Sequence, residues 1–114
     1  PDMAVRMTKP WTPFTAESVR KLTGQLGIFQ LGSAAGDVVF IGFAGGRSLF
    51  GLRGEVEKHL ADPPNGATQF RVEVNQQYTT RYQELLMVHV HDHGSVPAGN
   101  VGKPMPRLGR LSPS

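Results

Sequence analysis

The chain has 114 residues, a formal charge of +3, 39% hydrophobic and 18% charged residues, and no cysteine. This length suits one domain with one core, the composition excludes wholesale disorder, and no apolar run is long enough to cross a membrane. Disulfides, thiolate metal sites and cysteine nucleophiles are excluded, and the lack of cysteine fits a reducing, cytoplasmic setting.

The first 14 residues, with Pro1, Pro10 and Pro13, read as an N-terminal arm. Their start, PDMAVRMTKPW, lacks the basic and apolar segments of a secretory leader, so no signal peptide is expected. Trp11 and Phe14 are placed to pin the arm to the core. Thr15 as N-cap, Glu17 in a first turn and Gly24 as a stop predict a short helix over 15–23. The stretch GIFQLGSAAGDVVFIG then predicts a hairpin, with strands 26–32 and 37–43 and Ser33-Ala34-Ala35-Gly36 as its loop. A symmetric four-residue loop would set Phe29 directly opposite Phe40. Strand 37–43 is apolar on both faces, as in a central strand. Ser48 is placed to cap a helix over 49–60 with the stripe Leu49, Leu52, Val56, Leu60. A Pro-Pro-Asn-Gly loop follows, then a half-buried strand over 68–74. A last helix over 79–93 turns Tyr82, Leu85, Leu86 and His89 inward and stops at Gly94.

The order helix, hairpin, helix, strand, helix predicts an α+β domain over 15–100, a small three-stranded antiparallel sheet flanked by helices. Residues 101–114 carry Lys103, Arg107 and Arg110 and no acid, whereas 1–100 hold nine basic and nine acidic residues. The excess charge thus sits in a basic tail, and the domain lacks the overall positive charge of many nucleic-acid binders.

Gly27-Ile28-Phe29, Phe40-Ile41-Gly42 and an arginine on the next helix, Arg53, together resemble the GIY-YIG endonuclease family. Glu84 on the late helix and Asn100 after Val96-Pro97-Ala98-Gly99 extend the resemblance, which spans Gly27 to Asn100. Arg53 falls two residues later than the commonest spacing. The resemblance implies phosphodiester hydrolysis, with Mg²⁺ or Mn²⁺ held by Glu84 if the family-type site is active. It implies that Arg53 stabilises charge on the phosphate and that Asn100 closes the pocket. In the family the two motif tyrosines serve the attacking water, but here both are phenylalanine. A ring without a hydroxyl cannot accept, donate or relay a proton, and a general acid–base group typically contributes about 10²–10⁴-fold in rate. The chain therefore reads as a catalytically degenerate member.

Each residue also has a plainer reading. Phe29 and Phe40 can be a cross-strand core pair. Arg53 can pair with Glu57 one turn on. Glu84 can be a solvated helix acid, and Asn100 a turn residue. His89, His91 and His93 form HVHDH, but a helix puts only His89 and His93 on one face and no third metal ligand is evident. His59 is either a surface residue or a substitute base. Three functions remain in view: a module binding nucleic acid or protein, a metal-dependent hydrolase on a variant site, and an enzyme reusing the pocket for a small anionic substrate. No membrane partner is expected.

Overall fold

The computed structural model describes residues 6–103. The basic residues Arg107 and Arg110 of the tail, and the first five residues of the arm, lie outside the described residues. The elements are β1 (Thr12–Pro13), α1 (Ala16–Arg20), β2 (Gly27–Gly32), β3 (Val38–Ala44), α2 (Gly51–Glu57), β4 (Gln69–Val74) and α3 (Tyr78–His93). Short 3₁₀ turns cover Pro64–Gly66 and Ala98–Asn100.

The fold is α+β, as expected, with four strands rather than three. All pair antiparallel, in the order β1-β4-β2-β3. The extra strand comes from the arm, where Thr12 pairs with Phe70 and Pro13 with Gln69. Proline is tolerated there because an edge strand has no outer partner to receive its missing N–H. The Phe14 N–H bonds to the Thr68 carbonyl at 3.0 Å, and the Phe14 ring meets Phe70 at 5.9 Å. Trp11 covers Gly32. The arm is therefore built into the sheet.

Side chains alternate across the sheet and feed two cores. Phe29, Leu31, Ala44 and Phe70 face α1 and α2, packing with Val19, Leu52 and Val56. Ile28 and Ile41 face α3, packing with Tyr82, Leu85, Leu86 and Met7. β2 is one of the two inner strands, and all six of its residues are buried. The expectation of a central position for 37–43 is corrected, because β3 lies at an edge. Its two apolar faces are explained by helices on both sides, which the sequence pattern cannot distinguish from a central position.

The hairpin register also differs from the symmetric one. Phe29 pairs with Gly42 and Leu31 with Phe40, and a bulge brings Gly32 opposite Val38. Phe29 and Phe40 are thus diagonal neighbours on one face, with ring centroids 5.9 Å apart. A Cβ on Gly42 would stand 2.3 Å from Phe29 Cζ, so only glycine admits that ring. The helix expected over 49–60 is the shorter α2, and Leu49 is 90% exposed. Ser48 does not cap α2. Its hydroxyl accepts the Gly45 N–H at 3.0 Å and donates to Glu55 at 2.6 Å. α3 matches its expected span closely and ends at a left-handed Gly94.

Asn100 protects the β3 edge. Its Oδ1 accepts the Ile41 N–H at 2.8 Å and its Nδ2 donates to the Ile41 carbonyl at 2.9 Å. One buried amide thereby imitates a strand partner for one residue. Asn100→Ala is expected to cost about 2–3 kcal/mol, since it strands two buried backbone groups. Asn100→Asp keeps the shape but sets an acceptor against a carbonyl. Chemical denaturation should place it at least as low as the alanine variant.

Candidate functional site

A cleft of about 550 Å³ lies across the β3 edge and opens to both faces of the sheet. On the α2 side its wall is Phe40, Gly42, Glu55 of α2 and, from the turn after it, Lys58 and His59. On the α3 side it is Phe43, Tyr78 and Tyr82. Asn100 and Lys103 close one end, and Gly45-Gly46-Arg47 the other.

Aromatic surface dominates the walls. The His59 ring tilts against Phe40 at 4.7 Å and against Phe29 at 5.8 Å between ring centroids. Phe43 lies nearly parallel to Tyr78 at 5.7 Å and tilts against Tyr82 at 4.9 Å. Phe43 is 41% exposed, so its ring is accessible to a ligand. Phe29 is buried beneath the floor. The Gly46 N–H donates to Tyr78 Oη at 3.1 Å, and a Cβ on Gly45 would collide with the Tyr78 ring at 2.6 Å. That packing explains the glycine at 45.

The rim is cationic. Arg47, Lys58 and Lys103 line the cleft, and Glu55 is the one acid among its described residues. Glu55 accepts from Ser48 at 2.6 Å and from Lys58 at 3.2 Å, so both of its oxygens are engaged. Burial pushes the His59 imidazole below its ordinary pKa of 6.5; Glu55 opposes that shift, while Lys103 and Lys58 add to it. His59 is therefore neutral at pH 7.

Of the residues singled out by sequence, Phe29, Phe40 and Asn100 meet at this cleft, but Arg53 and Glu84 do not. The Arg53 side chain is exposed on the other flank of α2, and it makes no pair with Glu57. Glu84 accepts from Arg81, whose guanidinium also holds Glu73 on β4 at 2.8 and 3.0 Å. None of these three residues lines the cleft. Glu84 is thus a structural ion-pair partner. Its engaged carboxylate does not fit a divalent cation at the cleft. Among the described residues no group of three or more His, Cys, Asp or Glu could hold a metal ion. In HVHDH, His89 and His93 stack at 4.4 Å, and His89 Nδ1 meets the Ser95 carbonyl at 2.7 Å.

Sequence reasoning missed Ser48, Glu55, Lys58 and Tyr78, and left His59 undecided. Glu55, Lys58 and His59 fall at i, i+3 and i+4, one flank of α2. That spacing was readable, but which flank met the β3 edge was not.

Residues 5–92 match the family model described as a domain of unknown function, DUF7508, and the chain belongs to that family. Comparison with curated proteins gives no match. No helix among the described residues is long and apolar enough to cross a membrane.

Two outcomes test this assignment of roles. Arg81→Ala should cost about 2 kcal/mol, because it strands Glu73 and Glu84, while Glu84→Ala should cost under about 1 kcal/mol. Urea midpoints of the two variants measure the difference. Burial also lowers the pKa of His89, foremost by desolvation. Unfolded imidazoles then bind protons more readily than folded ones, so stability is fully present above the ordinary pKa of 6.5 and falls as pH drops below it. Unfolding curves between about pH 7.5 and 5.5 should show that fall, and His59→Gln should remove part of it.

Proposed function

We propose that this domain is a GIY-YIG-like fold turned from phosphodiester hydrolysis to binding, and that its ligand is a single-stranded segment of nucleic acid. The observation that carries the reading is the β3-edge cleft, in which accessible aromatic rings stand beneath a rim of three cations. Bases stack on aromatic faces without regard to sequence, while phosphates pair with lysine and arginine. Phe43 and Tyr78 offer the stacking surface, and Arg47, Lys58 and Lys103 the charges. The neutral balance of 1–100 is consistent with a local site, since the cations are concentrated at one edge. Loss of both motif phenols and the engagement of Glu84 by Arg81 argue against the family reaction. A cytoplasmic setting fits the cysteine-free sequence.

Fluorescence anisotropy with a labelled oligonucleotide tests the proposal. Three phosphate contacts predict that log Kobs falls with log salt with a slope of roughly −2. Arg47→Ala with Lys58→Ala should weaken binding at least tenfold, and Phe43→Ala about tenfold through lost stacking. Truncation after Lys103 should leave the slope at roughly −2, because all three cations of the cleft remain. Tight binding of a mononucleotide alone would favour a small anionic ligand instead. Affinity indifferent to all these changes would overturn the site, and cleavage of the oligonucleotide in Mg²⁺ or Mn²⁺ would overturn the degenerate reading.

A further inference from the structure

β3 ends the sheet, so every second residue of it points its backbone N–H and C=O away from β2. Asn100 shows which residues these are. Its amide reaches Ile41 from outside the sheet, so Ile41 faces outward. The register between β2 and β3 is unbroken from there to Ala44, because its shift lies at Leu31–Gly32. Phe43, two residues on from Ile41, therefore also faces outward, and Gly45 follows just past the strand end.

The two positions that flank Phe43 are filled. At Ile41 the Asn100 side chain accepts the N–H at 2.8 Å and donates to the carbonyl at 2.9 Å. At Gly45, Ser48 plays the same part: its Oγ accepts the Gly45 N–H at 3.0 Å, and its own N–H donates to the Gly45 carbonyl at 3.0 Å. The outward N–H and C=O of Phe43 have no partner among the described residues. Phe43 lines the cleft and is partly exposed, so this pair of groups is open to a ligand. A peptide strand does not fit there. Strand addition needs a run of such pairs, and it would meet Asn100 on one side of Phe43 and Ser48 on the other. A ligand that makes two bonds does fit. Asn100 gives its shape: a flat group with a donor beside an acceptor bridges the N–H and C=O of one residue. Nucleobase edges carry that pair. It is N3–H beside O4 in thymine and uracil, the amino group beside N3 in cytosine or N1 in adenine, and N1–H beside O6 in guanine.

We infer that the backbone of Phe43 receives the edge of a nucleobase, with its N–H donating to the base and its C=O accepting from it. This rests on the reading of the cleft as a site for single-stranded nucleic acid. A base held in this way continues the plane of the sheet. The wall of Phe40 and His59 then lies on one side of it and the wall of Tyr78 on the other. All four bases offer the donor–acceptor pair, so the contact recognises a base without choosing among them. It separates a nucleotide from a bare phosphate, which has no donor for the Phe43 carbonyl.

The full-length protein is titrated with oligothymidylate and with the same oligomer methylated at every N3, and binding is followed by fluorescence anisotropy. Methylation removes the donor of each base and keeps its ring and phosphate. The methylated oligomer should bind about fivefold more weakly or worse, the loss of a bidentate base contact. On the protein side, Phe43→Pro removes an N–H that no ladder bond uses, and Phe43→Ala removes the ring but keeps the N–H. Phe43→Pro should bind oligothymidylate about threefold more weakly than Phe43→Ala, the loss of one hydrogen bond. Amide hydrogen exchange reads the contact directly. The Phe43 amide should exchange fast in the free protein and about fivefold more slowly at saturating oligothymidylate, while Ile41 and Gly45 keep their rates. If Phe43→Pro does not fold, the methylated oligomer and the exchange rates decide the matter. Equal binding of the two oligomers, with the Phe43 exchange rate unchanged by a bound oligomer, would overturn this inference and leave the binding function standing. No binding of either oligomer would overturn both.

Discussion

Phe29 projects from β2 across the backbone of β3 at Gly42, where a side chain on β3 would collide with it. The observed register sets Phe29 two residues away from its partner in the symmetric hairpin, opposite Gly42 rather than Phe40. It places Phe40 diagonally beside Phe29, and His59, in the turn after α2, closes over both. Any larger residue at 42 would push the ring out of the core or shift the strand, and the floor of the β3 cleft would go with it. The two glycine-bearing tripeptides of the hairpin therefore have a packing role that does not depend on any reaction.

The cleft exists because β3 ends the sheet. An open edge presents unpaired backbone groups and invites association with other chains. Here one residue of that edge is satisfied by the Asn100 amide, and the stretch beyond it is overhung by Tyr78 and by the Gly45-Gly46 turn. The edge is thus occupied at its end by a rigid plug and left accessible along its side. Asn100 is buried because it fills the place of a missing strand, and this places Lys103, three residues on, at the mouth of the cleft.

Much of the fold was legible in the sequence. Alternation gave β4, the apolar stripe and Gly94 gave α3, and the two aromatic-rich runs gave the hairpin. What the sequence could not supply was the relation between elements. Apolar residues on both faces of 37–43 report helices on both sides, and they say nothing about which strands lie beside it. The bulge at the Gly32–Val38 pair depends on the loop geometry rather than on composition. Arg53 and Glu55 lie on opposite flanks of the buried Leu52–Val56 stripe, at about 100° per residue, so a helix one residue type away from the expected spacing turns a different side chain to the cleft. Glu84 was plausible as a ligand only until its distance in sequence from Arg81, one helical turn, proved to be a contact.

Charge pairing explains why the net balance conceals local sites. Asp92, Glu73 and Glu84 are consumed by Arg6 and Arg81, and Glu55 by Ser48 and Lys58. These acids neutralise their partners at the points where α3, the arm and α2 meet the sheet. Among the cations outside these pairs, Arg47 and Lys103 fall at the β3 edge. A domain that is neutral through residue 100 can therefore present positive potential at the β3 edge, because the one acid among the described residues of that cleft, Glu55, is engaged by Ser48 and Lys58.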